Sequence, residues 1–172
     1  MEIRPLRPED DRTAFTCGDA DLDRFFHKYA GQNQFKHHIG TTYVAVEAGT
    51  IWGYATVSAG HIEIEHLPER LAKRLPRYPL PVLRLARLAV GKDAQGKGIG
   101  GALLFAVFKL ALAQADNAGC VGVVVDAKPQ AVDWYSRFGF APLQVLEGGS
   151  AARPRPREMF LPLNTIQAAT SL

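Results

Sequence analysis

The N-terminal half of the chain carries short runs of β-forming residues around a segment with helical periodicity. The runs that predict strands are Ile3–Leu6, Thr41–Val46 and Ile51–Val57. The turn Glu47–Thr50 joins the second and third of these strands as a hairpin. Between the first two strands, apolar residues recur at helical spacing and predict a helix over 19–30. These residues are Leu22, Phe25, Phe26 and Tyr29.

The C-terminal half alternates between strand-like and helix-like patterns. Its expected elements are strands at Val82–Val90, Cys120–Val125, Ala141–Leu146 and Met159–Leu163, helices over Ile99–Ala115 and Pro129–Arg137, and a glycine-rich turn at Gly91–Gly101. The preceding segment, 60–81, is expected to be irregular with a short helix after Pro68, because prolines close it. This order predicts an α/β (α+β) fold with one mixed sheet of about six to seven strands flanked by helices.

Length and composition predict one domain. The chain has 172 residues, of which 47% are hydrophobic and 22% charged, the balance of a soluble globular protein. The N-terminus is too charged for a secretory signal, and the longest apolar stretch, 101–112, carries Lys109 and falls short of a bilayer span. Cys17 and Cys120 lack metal or redox spacing and are expected to be reduced thiols. We therefore expect a cytoplasmic protein with no membrane contact.

The basic residues are unevenly distributed, although the net charge is only +3. One acid-free stretch contains Arg70, Lys73, Arg74, Arg77, Arg84, Arg87 and Lys92. A second cluster consists of Arg153, Arg155 and Arg157. If both clusters line one face, they would attract a polyanion such as RNA, or the phosphates of a cofactor. A solvated surface segment explains the same run equally well.

The glycine-rich turn, Gly91–Gly101, is a candidate phosphate site. Glycines let backbone N–H groups turn toward an anion, and the positive end of the following helix adds attraction. A tight turn that binds nothing is the alternative. The first seven residues match GxxxxGK, but Gly98 stands where a Ser or Thr would hold magnesium. The GxGxxG pattern of dinucleotide sites also fits, with Asp126 as ribose partner, but too few residues follow it to complete such a fold.

Three stretches in order along the chain resemble the signatures of the GNAT superfamily of N-acetyltransferases. Gln95-Gly96-Lys97-Gly98-Ile99-Gly100 resembles its Q/R-x-x-G-x-G/A loop. Ala131–Phe140 resembles its A-x-x-F-Y-x-x-x-G-F ending, with Trp134 in place of Phe, and Gly49–Tyr54 resembles its G-x-x-x-G-Y hairpin. The resemblance implies a GNAT domain over 1–163, a C-terminal tail over 164–172, acetyl-coenzyme A (acetyl-CoA) as co-substrate and no metal.

The same resemblance assigns roles to individual residues. The loop would cradle the pyrophosphate of acetyl-CoA, and the strand before it would pair with the pantetheine arm. The implied cofactor-binding residues are Leu88, Ala89, Val90, Gln95, Gly96, Lys97, Gly98, Ile99, Gly100 and Gly101. Tyr135 takes the position of the general acid that protonates the leaving thiolate; an aromatic packing residue is the alternative. An α-amine has a reference pKa of about 7.7–8.0, so no strong base is essential.

A narrower resemblance lies near the N-terminus. Phe15-Thr16-Cys17-Gly18, followed by Leu22-Asp23-Arg24-Phe25, is similar to GNAT toxins of type II toxin–antitoxin systems, which acetylate the α-amine of aminoacyl-tRNA. It implies aminoacyl-tRNA as substrate, blocked translation as the outcome, and a ribbon–helix–helix antitoxin and a second copy of the chain as candidate partners. It also implies that Arg84 and Arg87 bind substrate, unless they pair with local carboxylates.

Other functions and sites remain open. The alternatives are a GNAT enzyme acting on a protein N-terminus, a lysine or a small amine, and a non-enzymatic acetyl-CoA sensor, against which Tyr135 argues. His61 and His66 could hold a metal, but a solvated edge strand is the stronger prediction. Cys17 has no histidine beside it in sequence and is predicted to pack rather than to react.

Overall fold

A mixed seven-stranded sheet with flanking helices forms the fold, as the alternation of patterns predicts. The computed structural model describes residues 1–67, 69–73, 75–76, 79–143 and 157–170. The strands are β1 (Glu2–Pro5), β2 (Thr41–Glu47), β3 (Thr50–Ile62), β4 (Leu80–Val90), β5 (Gly122–Ala127), β6 (Ala141–Pro142) and β7 (Arg157–Pro162). The helices are α1 (Ala20–Arg24), α2 (Glu69–Ala72), α3 (Ile99–Asn117), α4 (Val132–Arg137) and α5 (Leu163–Thr170). The sheet order is β1-β2-β3-β4-β5-β7-β6.

The predicted hairpin is confirmed, and its turn explains its register. β2 and β3 pair antiparallel, from Thr41 opposite Val57 to Glu47 opposite Thr50. The two turn residues, Ala48 and Gly49, have φ of 50° and 78°. Positive φ at both central positions matches the right-handed twist of the flanking strands, which is why a glycine occurs there. β3 runs on to Ile62, so the irregular segment begins later than expected.

Contacts divide the chain into two compact units, of which the first comprises Met1–Ser58 and Leu85–Lys109. Its core is centred on Tyr54, which is fully buried and stacks on Phe26 with ring centroids 4.5 Å apart. The Tyr54 hydroxyl donates a 2.7 Å hydrogen bond to the carbonyl of Leu22. Because this bond satisfies a buried phenol, it fixes the N-terminal helical segment on the sheet.

That helical segment differs from the predicted single helix over 19–30. Asp19 caps α1 by accepting from the backbone N–H groups of the first turn, which places the helix start as expected. Beyond Arg24 the backbone widens into π-helical turns at Phe25–Tyr29 and Gln32–Lys36. At the first of them, Arg12 Nη1 donates a 2.9 Å hydrogen bond to the carbonyl oxygen of Phe26.

The second unit comprises Ala59–Arg84 and Leu110–Leu172. Its core gathers Ile62, Leu67, Leu80, Val82, Val124, Leu143 and Phe160. Gly122 begins β5 because a side chain there would collide with the carbonyl of Leu161 and the ring of Phe160. α5 occupies most of the segment 164–172, and its Ile166 is fully buried.

Helix α3 corrects the expectation that the longest apolar stretch falls short of a bilayer span. By length and composition alone, Ile99–Asn117 could cross a membrane. However, Leu103, Leu104, Val107 and Ala111 are each no more than 1% exposed. These positions lie on one side of a helix, the pattern of a helix packed on a protein core.

Two smaller predictions need correction or lie outside the described residues. His61 is exposed near the end of β3, beyond Val57, where the pairing with β2 ends, which fits the predicted solvated strand. His66 lies in a short 3-10 turn and not in that strand, so its predicted placement is wrong. Within the described residues no three His, Cys, Asp or Glu side chains come together as a metal site. Arg74, Arg77, Arg153, Arg155 and the end of the predicted strand Ala141–Leu146 lie outside the described residues.

Candidate active site

The glycine-rich turn has a conformation that two of its glycines determine. It leaves β4 through a 3-10 turn at Lys92–Ala94 and enters α3 at Ile99. Gly96 and Gly98 both have φ of +81°, in the left-handed region. The left-handed conformation is higher in energy for residues that have a Cβ, so these two positions favour glycine.

The outer side of this turn is open. A Cβ built on Gly96 or Gly98 would meet no atom within 4 Å, and 95–98 are all exposed. The first N–H groups of α3 have no partner within the helix and form the positive end of its dipole. Exposed Lys97 adds a formal charge. Open space, unpaired donors and positive potential together fit a phosphate or pyrophosphate group.

The remaining predicted cofactor-binding residues lie on either side of the turn. Ala89 is 5% exposed and belongs to the core of the first unit, whereas Leu88 and Val90 are half-buried. Alternation along β4 therefore turns Leu88 and Val90 to the face opposite Ala89. At the helix start Ile99 is buried, and Gly100 and Gly101 are half-buried in the first turn of α3.

Gln95 makes contacts that the sequence did not indicate. Its Nε2 donates 3.2 Å hydrogen bonds to the carbonyl oxygens of Cys17 and Val90. The backbone N–H of Lys92 also donates to the carbonyl of Thr16, at 2.8 Å. The Phe15–Gly18 segment is thus tied to the turn. Only its resemblance to the toxin group marked this segment in the sequence.

Cys17 itself is not a nucleophile in this structure. Burial raises the pKa of its thiol to about 11, and nearby carboxylates act in the same direction. The thiol therefore stays protonated near neutral pH, and only the thiolate is strongly nucleophilic. This agrees with the predicted packing role.

Tyr135 lies in an aromatic cage on α4. Its side chain is 5% exposed, with Trp134 and Phe140 in edge-to-face contact at 4.9 and 5.4 Å between ring centroids. Gly139, at φ +100°, ends the helix and returns the chain toward this ring. Burial raises the pKa of the Tyr135 phenol, so the hydroxyl is protonated throughout the physiological range.

The two predicted substrate-binding arginines have different surroundings. Arg84 Nη1 lies 3.1 Å from Asp126 Oδ2 and 3.3 Å from Glu158 Oε1. Asp126 and Glu158 are directly opposite each other on β5 and β7. Facing carboxylates repel, and the guanidinium between them offsets that repulsion. The alternative pairing with local carboxylates therefore holds for Arg84.

Arg87 is stacked on an aromatic ring. Its guanidinium carbon lies 3.8 Å from the centroid of the Phe25 ring, a cation–π contact. Because 84 and 87 are three positions apart on β4, regular alternation turns the two arginines to opposite faces of the strand. The structure thus does not bring them together.

The model of the acetyltransferase (GNAT) domain family matches residues 13–147, which include the hairpin, β4, the glycine-rich turn and Tyr135. The chain belongs to the GNAT acetyltransferase family. As a GNAT enzyme it takes its acetyl group from acetyl-CoA, and the rival nucleotide motifs in its glycine-rich turn are coincidental. The predicted fold class and donor are confirmed.

Similar proteins are bacterial toxins of this family. A probable toxin TacT from Sinorhizobium fredii is 28% identical over 177 residues, covering 96% of this chain and 93% of the relative. A tRNA-acetylating toxin from Mycobacterium tuberculosis is 30% identical over 138 residues, covering 80% of this chain and 82% of the relative.

Solved structures of a third protein, AtaT, share the fold. AtaT complexed with acetyl-methionyl-tRNAfMet has a TM-score of 0.83 and 24% identity, with 98% of each chain covered. AtaTR bound with acetyl-CoA has a TM-score of 0.78 and 25% identity, covering 98% of this chain and 96% of the other.

Proposed function

We propose that this GNAT enzyme is a toxin that acetylates the α-amine of aminoacyl-tRNA and thereby blocks translation. The observation that carries the substrate is the 30% identity to a tRNA-acetylating toxin over 138 residues. Exposed basic side chains support it, among them Arg70 in the second unit and Lys92 in the first. Lys73 is also exposed but is paired with Glu69 at 3.6 Å. A polyanionic substrate uses such charge, whereas a small cationic amine would not.

The glycine-rich turn would bind the donor. Pyrophosphate oxygens would accept hydrogen bonds from the N–H groups around Gly96 and Gly98, where the open space lies. Leu88 and Val90 would offer backbone groups to the amides of the pantetheine arm. Gln95 would hold the turn in shape through its bonds to Cys17 and Val90.

Tyr135 would supply a proton at the end of the reaction. The neutral α-amine attacks the thioester carbonyl, the C–N bond forms and the C–S bond breaks, and the sulfur leaves as a thiolate. The Tyr135 phenol gives that thiolate its proton, and the phenolate regains one from the acetylated nitrogen, so protons balance. Because burial raises the pKa of the phenol, this proton donor is protonated near neutral pH.

The test is to mix the protein with radiolabelled acetyl-CoA and a pool of charged tRNA and to locate the label. Label on the aminoacyl group is expected, and Tyr135→Phe should lower kcat by about 10²- to 10⁴-fold with the dissociation constant of acetyl-CoA unchanged. Tyr43→Phe is the control, because Tyr43 is a half-buried tyrosine of β2 outside the proposed machinery. Label on proteins or small amines, with none on tRNA, would reject the substrate and keep the enzyme class.

A toxin needs a neutralising partner, and its substrate fixes its compartment. We infer that an antitoxin of the ribbon–helix–helix type accompanies this chain and that it acts in the bacterial cytoplasm, where aminoacyl-tRNA is used. A small neighbouring gene whose product copurifies with this chain and stops tRNA labelling is the expected result. Full labelling in the presence of that product would contradict the inference.

A further inference from the structure

The first unit presents a basic and aromatic surface to which no role has yet been assigned. No Asp or Glu occurs between Asp23 and Glu47. Two groups of neighbouring residues in this interval are exposed: His27, Lys28 and Tyr29, and Phe35, Lys36, His37, His38 and Ile39. We call these eight residues the 27–39 surface. Within the described residues, neither of its lysines forms an ion pair.

The aromatic rings of this surface are exposed because the opposite side of the same segment fills the core. Phe25, Phe26 and Ala30 are at most 5% exposed, whereas Tyr29 is 44% and Phe35 39% exposed. Because this segment already packs its other side on the core, the exposed rings of Tyr29 and Phe35 are available to contact another molecule.

The backbone under the 27–39 surface is held firmly. Arg12 fixes the carbonyl of Phe26. Gln34 bridges the carbonyl of Leu6 and the backbone N–H of Thr42, at 3.1 and 2.8 Å. Rings carried on such a scaffold lose little further freedom on binding, so a flat partner can stack on them at low entropic cost.

We propose that the 27–39 surface binds the unpaired 3′ end of the tRNA, with bases stacked on Tyr29 and Phe35 and phosphates on Lys28 and Lys36. Alternating rings and cations without acids match single-stranded nucleic acid, whose bases stack on aromatic side chains and whose backbone is anionic. The surface also continues from Phe25, which carries the Arg87 guanidinium at the start of the same π-helical turn. This proposal rests on the proposed tRNA substrate.

The test measures binding of a short single-stranded RNA by fluorescence anisotropy. Phe35→Leu and Tyr29→Leu keep an apolar side chain but remove the ring, and each should weaken binding by about 5- to 100-fold, the value of one base stack. Phe105→Leu is the matched control, because Phe105 is also 39% exposed and lies beside a lysine, Lys109, at 5.0 Å. That control should bind as the wild type does.

Two further measurements distinguish base stacking from non-specific binding. Lys36→Ala should reduce the slope of log affinity against log salt by about 0.7, the share of one single-strand phosphate. In acetyl transfer, Phe35→Leu should raise the KM for tRNA and leave the KM for acetyl-CoA unchanged. Equal loss in the Phe105 control would overturn the proposal, as would unchanged RNA binding by both ring variants.

The outcomes also distinguish this proposal from the proposed function. If wild-type protein labels charged tRNA while both ring variants bind RNA normally, the surface assignment alone fails. If ring-dependent RNA binding occurs but no label reaches tRNA, the proposed substrate alone fails. A drop in molecular mass in solution on Phe35→Leu, with RNA binding intact, would assign the 27–39 surface to a second copy of the chain and reject RNA as its occupant.

Discussion

Gly98→Ala tests whether the left-handed backbone at Gly98 contributes to coenzyme binding or to the stability of the fold. At φ +81° an alanine costs about 1–2 kcal/mol of backbone energy relative to glycine. The added Cβ itself meets nothing within 4 Å, so no steric term adds to this value. An exposed turn can relax when free and must return to the strained conformation to hold the pyrophosphate. The cost therefore falls on binding, and the dissociation constant of coenzyme A should rise by about 5- to 30-fold.

Gly49→Ala is the matched control for this variant. Gly49 has φ +78° and equally open space around a Cβ, so the local backbone cost is the same. It lies in the β2–β3 turn, where the paired strands hold φ in place. Here the cost should appear as a lower free energy of unfolding, with coenzyme affinity unchanged.

The assays are calorimetric titration with coenzyme A and chemical unfolding, each on both variants. Gly98→Ala should lose affinity for coenzyme A and keep its free energy of unfolding. Gly49→Ala should keep its affinity and have a lower free energy of unfolding. Unchanged affinity in Gly98→Ala, or an equal loss of affinity in Gly49→Ala, would refute the role of the left-handed glycine in shaping the phosphate site.

Three further predictions concern stability and reactivity. Arg84→Met should lower the free energy of unfolding by about 0.2–1 kcal/mol, because Asp126 and Glu158 then face each other unneutralised. Adding Glu158→Gln should restore part of that free energy in a double-mutant cycle, and no recovery would contradict the repulsion. Tyr54→Phe should lower the free energy of unfolding by about 0.5–1.5 kcal/mol, because it removes the hydrogen bond to the Leu22 carbonyl, which keeps its bond from the Phe25 N–H. An unchanged midpoint in chemical unfolding would contradict this. The pKa of the Cys17 thiol is raised to about 11 in the folded protein, above its value in the unfolded chain. Its contribution to the free energy of unfolding should therefore be full below pH 8 and decline as the pH rises toward 11. Cys17→Ser should flatten that decline in unfolding measured against pH.

Local patterns made much of the fold predictable. The β2–β3 hairpin is predicted by a short turn between two β-forming runs. Helix α3 is predicted by a long apolar stretch that begins directly after the glycine-rich turn. Both depend on residues within a few positions of one another. The widening of the N-terminal helix into π-helical turns is not predicted, because hydrophobic periodicity indicates a helix without distinguishing its α-helical from its π-helical turns.

The candidate site was predictable where a motif is contiguous and unpredictable where partners are distant in sequence. The glycine turn could be found by its spacing alone. The true neighbours of Arg84 are 42 and 74 positions away, and those of Gln95 include a carbonyl 78 positions away. A single sequence contains no signal that pairs such residues, so these hydrogen-bond partners could not be predicted from it. Their partners depend on which strands become neighbours in the sheet.

The arrangement of Arg84 between two facing carboxylates has a consequence for how this protein can change over evolutionary time. Loss of the arginine alone leaves two like charges in register on adjacent strands, and loss of one acid alone leaves the arginine with a single partner. Substitutions at the three positions should therefore be tolerated in combination more readily than singly. Homologues that lack Arg84 are expected to carry a neutral residue at position 126 or 158. Substitutions at the three positions should therefore be correlated.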